Sequence, residues 1–199
     1  MMGDARAAHI AQPTIPQGLA ALGLLALAAG PAGATPFVAA WHDATIAGCL
    51  SALEQGEAID GAALGLVPAP EIGLGYAAPT ETWHHPDASL VLGAVTLPGP
   101  AGARHLCDVL NSRFLNAETV NAVYSDFLDW AEAAQAARRY SFVGTRYDDD
   151  WLTGVASLRS RFTTPRHRRL EVTFVAQPAE GRVTFSAVET ILPEGEWPN

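Results

Sequence analysis

Glu81-Thr-Trp-His-His-Pro-Asp87 sets two histidines beside an aspartate, residue types that ligate zinc or move protons. A zinc site takes its ligands in spaced pairs such as His-x-x-x-His, because one face must aim two rings at one point. Adjacent histidines on a strand point to opposite faces, and Pro86 holds His85 extended. His84, His85 and Asp87, even joined by His42 or His105, are therefore read as the solvated entrance to the apolar run Ser89–Leu97. No metal is expected there.

Tyr147-Asp148-Asp149-Asp150 clusters carboxylates as a hard cation requires. A calcium loop of the EF-hand type needs alternating acids, a central glycine and a terminal glutamate, so this stretch is read as an acidic turn. Asp126 and Asp129 stand three apart on a helix and could face a cleft as paired carboxylates. Flanked by Tyr124, Phe127 and Trp130, they read instead as its solvent side.

The one concentrated positive patch is Arg159, Arg161, Arg166, Arg168 and Arg169. Forked guanidinium groups suit a carboxylate, a phosphate or an acidic protein surface, and these five are the candidate binding residues. The plainer alternative is cross-strand pairing with Glu171. All 12 basic residues are arginine, and eight of them fall between Arg138 and Arg169. With a net charge of −9 and no other basic surface, nucleic acid is excluded as a partner. The absence of lysine removes Schiff-base and Ser–Lys mechanisms.

No Gly-x-Ser-x-Gly, His-Glu-x-x-His, Cys-x-x-Cys or phosphate loop occurs. Gly73-Leu-Gly75-Tyr-Ala-Ala78 imitates a dinucleotide fingerprint, but it lacks the preceding strand and the following helix. No cofactor is expected.

Several elements must position these groups. Leu19–Ala29 is an apolar run of 11 residues followed by Gly30-Pro-Ala-Gly-Ala34. It is too short for a spanning helix, which needs roughly 20, and has the small-residue ending of a secretory signal cleaved after Ala34. Residues 1–34 are thus expected to be a signal peptide and 35–199 a single domain, periplasmic or secreted, with no stable membrane insertion after cleavage. Ile46-Ala-Gly-Cys49 has the letters of a lipoprotein box but lies too far beyond the apolar run. The two cysteines, Cys49 and Cys107, are then expected to form one disulfide.

Phe37–Gln55 has helical periodicity ending at Gly56, and Asp60 can cap a single turn. Ser89–Leu97 and Ala103–Leu110 read as paired strands. Asn116–Arg139 is a helix with Val120, Tyr124, Phe127, Ala131 and Ala134 on one face. Tyr140–Arg146, Trp151–Phe162, Arg168–Ala176 and Arg182–Ile191 follow as strands. The expected fold is α+β, a curved antiparallel sheet packed by two main helices in the order α-β-β-α-β-β-β-β. In element order this resembles the cone-shaped folds of the nuclear transport factor and ketosteroid isomerase group, and the resemblance implies no site residue. The functional expectation is a non-catalytic binding or accessory domain, with an acidic protein or a small anion as its partner. The alternative is a small hydrolase or isomerase using His84, His85, Asp126 or Tyr124.

Overall fold

The computed structural model describes residues 36–191 except 77, 79, 100, 101 and 148–153. The expected signal segment and the acidic turn Asp148–Asp150 lie outside the described residues.

The chain opens with α1 (Pro36–His42), a π-helical segment (Asp43–Leu50) and α2 (Ser51–Gln55), which run on as one rod. The wider winding begins where the Thr45 hydroxyl donates to the Trp41 carbonyl at 2.8 Å and the His42 carbonyl at 3.4 Å. Such side-chain bonds compete with the helix's own ladder. Gly56 ends the rod in the left-handed region at φ +71°, a conformation that costs glycine least. The Asp60 carboxylate then accepts from Ala63 N at 3.1 Å, capping the expected short turn.

Eight antiparallel strands form one open, curved sheet in the order β1-β2-β3-β4-β8-β7-β6-β5. They are β1 (Val67–Pro68), β2 (Thr80–His84), β3 (Leu90–Leu97), β4 (Arg104–Asn111), β5 (Tyr140–Tyr147), β6 (Gly154–Ser160), β7 (Arg169–Gln177) and β8 (Arg182–Thr190). Helix α3 (Ala117–Ala136) crosses between β4 and β5, its first turn capped by Asn116, whose side chain accepts from Thr119 N at 2.7 Å. The strand order is a palindrome. Each half is a helix followed by a four-strand meander, and the halves join where β4 meets β8.

Two of these strands depart from the sequence reading. Thr80–His84, which overlaps the Glu81–Asp87 stretch that reads as a polar entrance, is itself a strand paired with Val91–Val95 of β3. Its alternation explains why: Thr82 is buried on one face and Trp83 packs against the core on the other. Val67–Pro68 then adds a two-residue edge to β2, short and proline-tipped as exposed edges commonly are.

One sheet face carries both helices. Leu158, Val172, Ala187 and Cys107 align across four strands, and all lie in the core cluster. Above them Phe127 stacks on Phe174 with ring centroids 4.5 Å apart, and Trp41 meets Phe174 edge-on at 6.3 Å. The helical spacing therefore buries Val120, Val123, Phe127, Ala131 and Ala134, with Tyr124 only partly covered. Cys49 and Cys107 are bonded, tying the π segment to β4.

On the opposite face, which carries neither helix, a loop after β1 covers β2 and β3. The end of the Leu74 side chain lies where a Cβ on Gly93 would stand, so any larger residue there would have to displace it. Tyr76 then donates to Asp108. Burial and the neighbouring carboxylate hold that phenol well above its usual range. Beyond β4 this face is a half-buried array in which Ser157, Thr173, Ser186 and Asp108 share a row.

Candidate functional site

A cleft of about 380 Å³ opens between the end of α2 and the neighbouring ends of β2, β3 and β4. Leu53, Ala58 and Ile59 supply an apolar wall from the chain leaving α2, Glu81 comes from β2, Thr96 from β3 and His105 from β4. Arg166 enters from the turn between β6 and β7. The volume lies at the low end of the roughly 300–1,000 Å³ typical of small-molecule sites.

Arg166 is held from beneath by Glu189. Val183, Phe185, Ala187 and Glu189 alternate along β8 onto the helix-bearing face, so an acid occupies a core position and is fully buried. Its Oε1 accepts from Arg166 Nε at 2.7 Å and its Oε2 from the His105 backbone N–H at 3.0 Å. The β4–β8 ladder ends at Leu106–Val188, and the next β4 N–H turns to this carboxylate instead. Arg166 Nη1 passes over Gly56, about where a Cβ would crowd it at 3.3 Å. Arg166 Nη2 is buried and meets no acceptor among the described residues.

The five arginines singled out by sequence are not one patch. Arg166 faces the cleft on the helix-bearing side. Arg159 is on the opposite face, directly across from Glu171, which accepts from its Nε at 3.1 Å and its Nη2 at 2.7 Å. Arg169 shares that opposite face, two residues from Glu171 on β7. Arg168 passes close to Gly102, and Arg161 is exposed. Arg161, Arg166 and Arg168 lie in the turn between β6 and β7, where no strand alternation fixes a common face, so proximity in sequence does not gather these side chains.

The histidines separate in the same way. His85 Nδ1 accepts from the backbone N–H groups of Asp87 at 3.1 Å and Ala88 at 2.8 Å, so it caps the turn into β3. His84 lies opposite Val91, on the face away from the helices, and its buried Nδ1 has no partner among the described residues. Among the described residues no three His, Cys, Asp or Glu side chains converge as metal ligands would.

Asp126 reaches across the helix pair and meets His42 Nδ1 at 2.8 Å. This pair clamps α1 to α3, while Asp129 is exposed. Tyr124 stacks on Phe174 at 5.6 Å and lies against Gly154. His84, His85, Asp126 and Tyr124, the residues considered for acid–base work, are thus dispersed, and none lines the cleft.

The hydrogen bond to Asp126 raises the pKa of His42, with the charges of Asp126 and Asp43 adding to it and burial opposing it. A raised folded value means the clamp contributes fully below the unfolded value of 6.5 and fades as pH rises through the folded one. The His42 side chain is 39 % exposed, so solvent keeps the effect small. Replacing His42 with alanine should cost about 0.5 kcal/mol more at about pH 5.5 than at about pH 8.5. Urea unfolding of both proteins at both pH values reads this difference directly. A cost that does not change with pH would show the clamp to be packing alone.

Glu189, which holds Arg166 at the cleft, is not among the candidate residues read from the sequence. An acid on the apolar face of an alternating strand signals a buried partner, but the sequence does not say which arginine supplies it. Compared with known proteins, the chain matches no family model, no curated protein and no solved structure.

Proposed function

We propose that this chain is an exported, non-catalytic binding or accessory domain, periplasmic or secreted, whose cleft between helix end and sheet takes a small ligand. The observation carrying this reading is Arg166 at the cleft wall, oriented by a fully buried Glu189 and left with an unmet buried nitrogen. Orienting a guanidinium on a buried carboxylate is how a fixed donor fork is prepared for a second acceptor. Of the expected partners, a small anionic group fits this placement better than an acidic protein surface, because the arginines do not share one face. Export is supported by the signal-like start at 1–34 and by the disulfide.

Two measurements test it. Protein recovered from outside the cytoplasm should begin at Thr35. Methyl-labelled protein mixed with a small-molecule library should show shifts confined to Leu53 and Ile59 at the cleft wall. If no compound moves those methyls, the binding reading falls.

A further inference from the structure

We infer that the cleft takes a zwitterion, an amino acid or short peptide with an apolar side chain, its carboxylate on Arg166 and its ammonium at Glu81. The inference deepens the binding reading above and rests on it.

Charge decides between ligand classes. The charge of Arg166 is cancelled by Glu189, which leaves Glu57 and Glu81 as the uncompensated charges lining the cleft. Neither makes an ion pair or side-chain hydrogen bond among the described residues. A simple anion would meet Arg166 but be repelled by these two carboxylates. A simple cation would satisfy them and leave the buried Arg166 Nη2 without an acceptor, a state that costs free energy. A molecule bearing both charges answers both demands. Leu53 and Ile59 line the same cleft, which favours an apolar side chain, and the modest volume limits the ligand to a small one.

The test is isothermal titration with leucine, alanyl-leucine, N-acetylleucine and leucinamide. One of the two zwitterions should bind. N-acetylleucine, which lacks the ammonium, and leucinamide, which lacks the carboxylate, should each bind at least about tenfold more weakly, the loss of one charge-assisted hydrogen bond. Glu81→Gln, an exposed change that leaves the fold alone, should weaken the zwitterion about tenfold and bind N-acetylleucine no more weakly than the wild type does, since one repelling carboxylate is gone. Arg166 is kept intact because its removal strands Glu189. Equal binding of leucine and N-acetylleucine, or an unchanged zwitterion affinity in Glu81→Gln, would overturn the assignment. So would the absence of zwitterion binding while other compounds shift the Leu53 and Ile59 methyls. That last outcome removes the zwitterion and leaves the binding reading standing, whereas methyls silent to every compound remove both.

Discussion

Replacing Cys107 with alanine is expected to lower the unfolding free energy by about 4 kcal/mol, within the range of about 2–5 for a native disulfide. The bond closes a stretch whose ends are 58 residues apart in sequence. That loop holds β1, β2, β3 and part of β4. Without the bond the unfolded chain regains the freedom to separate the first helical rod from the sheet beneath it. Both cysteines are fully buried in the core cluster, so the substitution also removes packing. Reducing the wild-type bond under unfolding conditions isolates the chain-entropy part. Urea midpoints of oxidised, reduced and Cys49→Ala/Cys107→Ala protein should therefore fall into two groups, with the oxidised form alone at high denaturant. Three coincident midpoints would show that packing alone holds the rod on the sheet.

How much of this was legible depends on the length of the periodic signal. Helix α3 repeats its apolar residues through five turns and carries an asparagine at its cap, so periodicity and capping agreed. Strands β6, β7 and β8 alternate cleanly because one face meets the helices and the other does not. Residues 57–84 had no such run. Glycine, alanine and proline there conceal the two-residue β1, and Thr80–His84 is too short and too polar to outweigh the histidine pair that follows. The stripe on the first rod was only partly legible, since a change to π winding at Asp43 moves every later residue around the axis. On that rod Trp41, Cys49, Leu50 and Leu53 are buried, whereas Ile46 is only half-buried. Among site residues, Arg166 was named for its neighbours in sequence, yet its role comes from Glu189, which is 23 residues away. Pairing of that kind is set by register across β7 and β8 and has no local signature.

Arg166→Ala should accordingly be the most damaging single change at the site, costing about 3–5 kcal/mol, as breaking a buried pair does. The reason is the partner left behind. Glu189 is 0 % exposed and would keep only the His105 N–H as a donor. Burying an uncompensated carboxylate is expensive. The Arg159–Glu171 pair supplies the contrast, since it has the same residue types and similar distances. Its side chains are 37 % and 38 % exposed, so water replaces the lost partner. Arg159→Ala should then cost no more than about 1 kcal/mol. A third variant separates charge from shape: Arg166→Met combined with Glu189→Leu removes both charges and keeps most of the volume, and it should recover most of the stability lost in Arg166→Ala. Thermal or urea unfolding of the three proteins ranks them. If Arg166→Ala and Arg159→Ala cost the same, the cleft admits enough water to hydrate Glu189, and the orienting role given to that carboxylate is wrong. If the double variant is stable yet binds no ligand, the pair exists for the site and not for the fold.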